Sequence, residues 1–231
     1  MSDCRALLGP SVLVVAPHPD DEALGCGGTI ARLVAEGVAA HVLIVTGATA
    51  QGDFDNWSHH ERAFELGIVR KELGLSSVSC LGLDSSSLDV VPKKELVEMF
   101  RLFLTSVRPQ ALFLPWLADA HSDHRIVSQS FQSAAKSFRN PSVKSVLYYE
   151  TLSETNFSSS RNSDAFVPQL WIDVTSYLDT KVKACLSYQS EFQIHPFPRS
   201  ETAVRSLAAL RGSECGAVAA ESFALQRMII S

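Results

Sequence analysis

An imidazole and three carboxylates stand within five residues near the start of the chain, in the order His18-Pro19-Asp20-Asp21-Glu22. Carboxylates this close repel one another, and a divalent cation is the usual means by which a protein offsets that repulsion. A helix N-terminus also favours acidic residues, by roughly 0.3 to 1 kcal/mol, but a cap needs only one aspartate and leaves His18 unexplained. The composition of this cluster therefore predicts a metal site rather than a helix cap.

A second cluster, His121-Ser122-Asp123-His124, places two histidines and an aspartate within four residues. The other histidines of the chain lack such company and are interpreted as solvated loop residues. Together, His18, Asp21 and His124 supply two imidazoles and one carboxylate, a ligand set suited to Zn(II) with a fourth position left for water. We expect one Zn(II) per chain at these three residues, although other divalent metals also suit the set.

Each cluster follows an apolar run that is typical of a buried strand, at residues 12–16 and 111–114. Prolines on both sides of His18 delay the next helix until about Asp20 or Asp21, so the first cluster lies in a strand-to-helix turn. Strands and helices alternate along the chain, which predicts an α/β fold. We expect one domain over residues 1–231, with a single doubly wound, mostly parallel, Rossmann-like sheet and helices on both faces. If the two apolar runs are neighbouring strands where the strand order reverses, both clusters face one crevice.

The remaining periodicities predict the other elements of the fold. Strands are expected at residues 42–46, 78–83, 142–150 and 170–174, and helices at 21–36, 58–73, 92–107, 176–190 and 201–210, with a last apolar segment ending at residue 230. The helix after His124 is expected to bury Phe131 and Phe138 and to stop at Asn140. Residues 47–56 are a predicted loop. A second loop, at 151–168, is the candidate for a lid over the substrate, because loops longer than about 12 residues are often functional.

Composition limits the function classes. The chain has 231 residues, of which 46% are hydrophobic and 19% are charged, as in an ordinary globular domain. Its net charge of -5 argues against nucleic acid or an anionic membrane as the main partner. No apolar stretch is long enough for a signal peptide or a membrane span, so we expect a soluble, cytoplasmic protein. Five cysteines without C-x-x-C spacing argue against a disulfide framework and a thiolate zinc site.

The two clusters resemble the motifs of the LmbE-like, or PIG-L, family of zinc-dependent N-deacetylases. The family pattern is a strand followed by His-Pro-Asp-Asp-Glu and, later, by His-x-Asp-His or a close variant, which stand here at residues 18–22 and 121–124. Further similarity lies in the glycine-rich helix start at 25–28, in the segment 62–75 and in the tail at 211–223. The resemblance implies an LmbE-type fold and removal of the acetyl group from an N-acetylglucosamine-type sugar or conjugate.

The resemblance also implies a role for each polar residue. Water bound to Zn(II) would attack the acetyl carbonyl, because the metal lowers the pKa of that water to about 7. Asp20 would be the general base, His121 would donate to the developing oxyanion or to the leaving amine, and Asp123 would orient the His121 ring. Arg62 and Asp84 stand at positions that resemble those with which family members grip the sugar or its aglycone.

The substrate class and the assembly follow from the same resemblance. The substrate is expected to be a small N-acetylated amino sugar or conjugate. It could be a free sugar derivative, a nucleotide-linked sugar, a thiol-cofactor precursor or a glycosylated natural product. Soluble relatives form trimers or hexamers, which implies a homo-oligomer. Glu22 is expected to support the site without contacting the metal.

Interpretations from other classes stay open. Two histidines and a carboxylate also form the facial triad of non-heme Fe(II) oxygenases, although those sites usually lie on all-β scaffolds. A metal-holding binding protein without turnover is the other alternative, and it would lack an acid/base group beside the metal, whereas Asp20 and His121 are both present. A dinucleotide site at Gly25 and Gly27 is disfavoured, because the third small residue is missing and the acidic cluster would repel a pyrophosphate.

Overall fold

The computed structural model describes residues 3–47, 59–158 and 164–230, with residues 59–62 as backbone alone. All but the first residue of the predicted loop at 47–56, and the side chain of Arg62, therefore lie outside the described residues. The strands are β1 (Ser11–Ala16), β2 (Ala39–Thr46), β3 (Ser77–Leu83), β4 (Ala111–Pro115), β5 (Ser145–Tyr149), β6 (Leu170–Asp173) and β7 (Ala220–Met228). The helices are α1 (Cys4–Leu8), α2 (Asp21–Ala35), α3 (His59–Leu73), α4 (Lys93–Val107), α5 (Ser122–Ala134), α6 (Leu178–Leu186) and α7 (Glu201–Cys215).

Within the described ranges, seven strands form one sheet in the order β3-β2-β1-β4-β5-β7-β6. Strands β1 to β5 pair in parallel, whereas β7 pairs antiparallel with both β5 and β6. The strand order reverses between β1 and β4, because the chain proceeds from β1 to β2 and β3 on one side and continues with β4 on the other side of β1. Strands β1 and β4 pair in parallel, with Val12 opposite Ala111, so the two motifs that follow them lie at this switch point. The predicted mostly parallel α/β sheet is therefore confirmed.

Alternate residues of β1 enter two separate cores, one on each face of the sheet. Val12 and Val14 pack in the core beneath α2, α3, α6 and α7, whereas Leu13 and Val15 pack in the core beneath α4 and α5. A strand buried on both faces has to be apolar throughout, which explains the unbroken run in the sequence. Polar residues that follow such a strand emerge only at its carboxyl end, which is where the first motif stands.

Several predicted boundaries are wrong. Helix α5 ends at Ala134, where the side chain of Asn140 donates to the carbonyl oxygen of Ala134 at 2.9 Å and caps the helix. Phe138 thus lies beyond the helix and is 78% exposed, contrary to its predicted place on the inner face. The predicted stop at Asn140 is therefore six residues too late, although the Asn140 side chain does bond to the last residue of the helix. Helix α6 is shorter than predicted, α7 extends five residues further, and α1 was not predicted.

The predicted loop after β5 is irregular over its described part, apart from one short 3-10 turn at Thr155–Phe157. Its role as a lid stays a prediction. Among the helices of the described residues, none has both the length and the apolar composition needed to cross a bilayer.

Candidate active site

The first motif occupies the turn between β1 and α2, and the turn is fixed by its own backbone groups. The carbonyl oxygen of Pro17 accepts hydrogen bonds from the amide and the hydroxyl of Thr46, at 2.9 and 2.8 Å, which ties the turn to the end of β2. The amide of His18 donates to Oδ2 of Asp21 at 2.9 Å. The carboxylate of Asp21 is thus oriented by the same turn that carries His18, which explains why the two residues stand three apart.

The second motif occupies the connection between β4 and α5. His121 is the N-cap residue of α5, and its Nδ1 accepts a hydrogen bond from the amide of Asp123 at 3.1 Å. Asp123 and His124 lie in the first turn of the helix and are buried. Because β1 and β4 are neighbours and both run toward this edge of the sheet, the two motifs meet there.

Three candidate ligands converge as the sequence predicts. Oδ2 of Asp21 lies 3.4 Å from Nδ1 of His18 and 3.2 Å from Nε2 of His124, and donor atoms of all three residues lie within 4.8 Å of one another. Metal-to-ligand distances of about 2.0 to 2.1 Å in a tetrahedral site place neighbouring donors about 3.4 Å apart. The spacing and the donor types therefore fit a divalent metal, and the set matches Zn(II) chemistry.

Each of the two imidazoles meets a buried carboxylate on its opposite nitrogen. Nε2 of His18 lies 3.1 Å from Oδ2 of Asp123, and Nδ1 of His124 lies 2.8 Å from Oδ2 of Asp119. Oδ1 of Asp119 accepts a further hydrogen bond, from the hydroxyl of Thr155 at 2.6 Å. A histidine that gives one nitrogen to a metal carries its proton on the other, and a carboxylate there fixes the ring and makes it a stronger ligand.

The contacts of Asp123 differ from those expected. Its Oδ2 lies 4.0 Å from Nδ1 of His121, too far for a hydrogen bond, and contacts His18 instead. The same oxygen accepts from the amide of Ser86 at 2.7 Å. The backbone amide of Asp123, not its carboxylate, donates to Nδ1 of His121, which leaves Nε2 of His121 to carry the proton of the neutral ring.

The pKa values of the candidate ligands reflect these contacts. Burial lowers the pKa of His18, but hydrogen bonds to Asp123 and Asp21 outweigh burial and raise it to about 9. Burial likewise opposes the charged form of His124, yet the carboxylates of Asp21 and Asp119 hold its pKa well above the usual value. Burial raises the pKa of Asp21, and both imidazoles more than reverse that effect and lower it. The neighbouring carboxylates thus stabilise positive charge at the point where the candidate ligands meet.

Asp20 is held in an unusual backbone conformation beside this cluster. Its φ of 130° and ψ of -29° lie in a region that L-residues rarely occupy, at a cost on the order of 1 to 3 kcal/mol. Its side chain is buried, and Oδ2 has no hydrogen-bond partner among the described residues. The nearest cation is Arg199, whose Nη1 lies 3.9 Å away. Burial, with the negative charge of Asp21, raises the pKa of Asp20 well above its usual value.

A carboxylate oxygen that is buried without a partner is costly, so its presence indicates a ligand or water that belongs there. The raised pKa also makes Asp20 a better proton acceptor than an exposed aspartate. Both properties suit a group that works beside a metal without binding it.

Glu22 contacts the backbone of Asp20. One of its oxygens accepts a hydrogen bond from the amide of Asp20 at 3.3 Å, and the other accepts from the hydroxyl of Tyr188 at 2.5 Å. Burial raises the pKa of Glu22 to about 7. Among the described residues, Glu22 belongs neither to the predicted ligand group nor to the second set with suitable spacing, His18, His121 and Asp123.

Sequence reasoning missed three residues of this site. Asp119 stands two positions before His121 in the same polar stretch, so its place in the sequence could have indicated it. Tyr188 and Arg199 come from the region after α6, far away in sequence, and neither belongs to a motif. Only the tertiary fold brings them to Glu22 and Asp20.

The two predicted sugar-binding residues are less well defined. The backbone of Arg62 lies in the first half of α3. Asp84 follows the last residue of β3 and is exposed, at the same edge of the sheet as the motifs. Their roles stay predictions.

Comparison with known proteins places this geometry in a family. Residues 13–135, more than half of the chain, match the PIG-L family, described as GlcNAc-PI de-N-acetylase. The chain belongs to the PIG-L family. That match includes most of β1, all of β4 and both motifs, and it ends before Tyr188 and Arg199.

Two relatives extend the likeness of this PIG-L chain beyond the family match. The diacetylchitobiose deacetylase of Thermococcus kodakarensis is 26% identical over an alignment of 220 residues, and the alignment covers 89% of this chain and 79% of the relative. The crystal structure of the conserved protein TT1542 from Thermus thermophilus superposes with a TM-score of 0.77 at 28% identity, over 95% of this chain and 96% of that one.

The fold is shared more widely than one reaction. A 4-carboxy-2-hydroxymuconate hydratase from Pseudomonas putida superposes with a TM-score of 0.72 at 19% identity, over 96% of this chain and 98% of that one. Identity this low shows the fold alone. The reaction therefore depends on the residues of the site and not on the fold.

Proposed function

We propose that this chain is a zinc-dependent N-deacetylase, which hydrolyses the N-acetyl amide of an N-acetylglucosamine-type sugar or conjugate. The observation that carries the proposal is the pairing of a His18, Asp21 and His124 ligand set with a buried carboxylate, Asp20, whose Oδ2 has no hydrogen-bond partner among the described residues. A metal site without turnover has no need for such a group. Membership of the PIG-L family supports the same reaction class.

His18, Asp21 and His124 would hold the metal, and Asp119 and Asp123 would fix the two imidazole rings. When bound, Zn(II) supplies an acidic water and polarises a carbonyl oxygen. Asp20 would accept the proton of the attacking water at its carboxylate. This proton then has to reach the departing amine, and Asp20 is the buried acid that holds it.

His121 would stabilise the charge that develops on the acetyl oxygen. Burial, together with the neighbouring imidazoles His18 and His124, lowers the pKa of His121 to about 4, so its ring is neutral near pH 7. Because Nδ1 accepts from the amide of Asp123, the proton lies on Nε2. A neutral N–H in a fixed position suits hydrogen bonding to an oxyanion better than it suits proton transfer to the amine.

The proposal extends to the substrate contacts, the oligomeric state and the location of the protein. Arg62 and Asp84 would contact the sugar, the chain would form a homo-oligomer as a trimer or hexamer, and it would act in the cytoplasm. The net charge of -5 supports a small-molecule substrate over nucleic acid.

The test is acetate release from a panel of N-acetylated amino sugars. Free N-acetylglucosamine, N,N'-diacetylchitobiose, an inositol conjugate and a nucleotide-linked sugar would be incubated with chelator-treated protein, before and after addition of Zn(II). We expect zinc-dependent release of acetate from at least one of them, and release slower by roughly 100-fold or more from Asp20→Asn protein. Fully zinc-loaded protein that releases no acetate from any of them would contradict the proposal. Oxygen-dependent turnover with Fe(II) alone would favour the facial-triad alternative instead.

A further inference from the structure

The conformation of Asp20 requires an explanation beyond the helix that follows it. A residue with a side chain persists at φ 130° only where surrounding contacts enforce it. The carbonyl oxygen of Asp20 accepts from the amides of Ala23 and Leu24, at 3.0 and 2.9 Å, as in the first turn of any helix. These bonds fix one side of the residue. On the other side of the residue, the amide of Asp20 donates a hydrogen bond to the carboxylate of Glu22.

Glu22 is in turn fixed from a distant part of the chain. It is 1% exposed, and its second oxygen accepts from the hydroxyl of Tyr188, a fully buried residue just beyond α6. The amide of Tyr188 donates to the carbonyl oxygen of Cys185 at 3.1 Å, so the ring is anchored to the end of that helix. A chain of two hydrogen bonds thus runs from α6 through Glu22 to the backbone of Asp20.

We propose that Glu22 and Tyr188 form a positioning pair that holds the backbone of Asp20 at positive φ and so determines where its carboxylate stands. Glu22 acts as a hydrogen-bond acceptor in this pair, and Tyr188 keeps the acceptor in place. The effect on turnover rests on the proposed role of Asp20 as general base. Neither Glu22 nor Tyr188 is a metal ligand or a substrate-binding residue in this proposal.

The pair predicts a specific kinetic signature. Tyr188→Phe removes only the hydroxyl, so Glu22 is no longer held and Asp20 loses its fixed conformation. Misplacement of a catalytic group by about 1 Å costs up to roughly 100-fold, and we expect kcat to fall by about 10- to 100-fold. The Michaelis constant and the zinc content should not change, because the ligands and the substrate contacts remain.

The matched control is Tyr148→Phe. Tyr148 is also buried, and its hydroxyl bonds to Gln132 and Gln226 on the other face of the sheet. Loss of this hydroxyl should leave kcat within about twofold, since it removes a similar buried group without touching Asp20. An equal fall in kcat for both variants would overturn the proposal, because it would indicate general loss of packing.

Glu22 tests the pair from its other end. Glu22→Gln keeps an acceptor oxygen for the Asp20 amide, whereas Glu22→Ala removes it. We expect kcat of Glu22→Gln to lie close to that of the wild type and kcat of Glu22→Ala to fall as in Tyr188→Phe. A Glu22→Gln protein as slow as Glu22→Ala would show that the charge matters and not the acceptor, which overturns the assigned role.

Hydrogen exchange of the Asp20 amide provides a measurement that needs no substrate. We expect NMR to show slow exchange in the zinc-loaded wild type and in Glu22→Gln, and faster exchange in Tyr188→Phe and Glu22→Ala. Unchanged exchange in the last two variants would overturn the pair even if kcat fell. Because this measurement does not depend on acetate release, failure of the deacetylase proposal and failure of the positioning pair can be told apart.

Discussion

Asp119 and His124 are joined by a hydrogen bond of 2.8 Å between Oδ2 and Nδ1, and both side chains are almost completely buried. Burial raises the pKa of Asp119, and the hydrogen bond to His124 partly offsets this rise. The hydroxyl of Thr155 bonds to the other oxygen of Asp119, so the segment after β5 also supports the candidate metal ligand. The candidate metal site thus includes a carboxylate, Asp119, that supports a ligand without being one of the three candidate ligands itself.

The first prediction follows from that contact. Asp119→Ala should reduce zinc affinity by about 10- to 100-fold, because the His124 ring loses the carboxylate that fixes its orientation and raises its basicity. Competition with a chelator of known affinity measures the effect. Asp173→Ala, which removes a carboxylate at the far end of the sheet, is the control. Equal zinc affinity in Asp119→Ala and the wild type would contradict this role.

A second prediction concerns stability away from the site. Nζ of Lys181 lies 2.5 Å from Oε1 of Glu221, both groups are buried, and Glu221 also accepts from the amides of Gly28 and Thr29. Burial lowers the pKa of Lys181, but attraction to Glu221 outweighs burial and the pKa is raised. Lys181→Met would leave an unpaired buried carboxylate, so we expect the free energy of unfolding to fall by about 3 to 5 kcal/mol.

Denaturant titration measures that loss. The exposed pair of Arg205 and Glu201 on α7 is the comparison, since an ion pair in water contributes little. Arg205→Met should change the unfolding midpoint only slightly. A Lys181→Met protein as stable as the wild type would contradict the prediction and show that the amides of Gly28 and Thr29 are sufficient partners for the buried Glu221 carboxylate.

The parts of the fold that could be predicted are those dictated by local pattern. The apolar runs of β1 and β4 indicated strands buried on both faces, and the polar motifs after them indicated the edge where a ligand binds. Strand direction was not predicted for β7, because alternation of side chains is the same in parallel and antiparallel pairs. The predicted burial of Phe138 was wrong for a different reason. The helical periodicity of the sequence continues past Ala134, where Asn140 caps α5.

The residues of the site were likewise predictable only where they lie in a local sequence pattern. His18, Asp21 and His124 could be found because each lies in a dense motif, and the pairing of β1 with β4 brings the motifs together. Tyr188 and Arg199 could not be found, because nothing near them in sequence differs from an ordinary loop. Their significance comes from distances to Glu22 and Asp20 that only the packing of α6 and α7 creates.

A third prediction tests the ligand assignment directly. His18→Ala and His124→Ala should each lose most of the bound zinc while remaining folded, because two donors and water are too few to hold the ion tightly. His195→Ala should keep it, since His195 is an exposed loop residue. Elemental analysis of the purified proteins, with circular dichroism to check the fold, decides the matter. Full zinc occupancy in the first two variants would exclude them as ligands.

The last prediction separates Asp20 from Asp21, which carry the same side chain but differ in their contacts. Oδ2 of Asp21 faces both imidazoles, whereas Oδ2 of Asp20 has no hydrogen-bond partner among the described residues. Asp21→Asn should therefore bind zinc more weakly, because an amide oxygen is a poorer ligand than a carboxylate. Asp20→Asn should keep its zinc and lose activity by roughly 100-fold or more, the usual scale for removal of a general base.

Titration with Zn(II) distinguishes the two variants. Excess metal should restore occupancy in Asp21→Asn and, with it, part of the acetate release, because the base and His121 are intact. The same titration should leave Asp20→Asn inactive, since its site is already filled and the water has no acceptor for its proton. If zinc instead rescues Asp20→Asn and not Asp21→Asn, the two roles must be exchanged, and Oδ2 of Asp20 would then be a metal ligand.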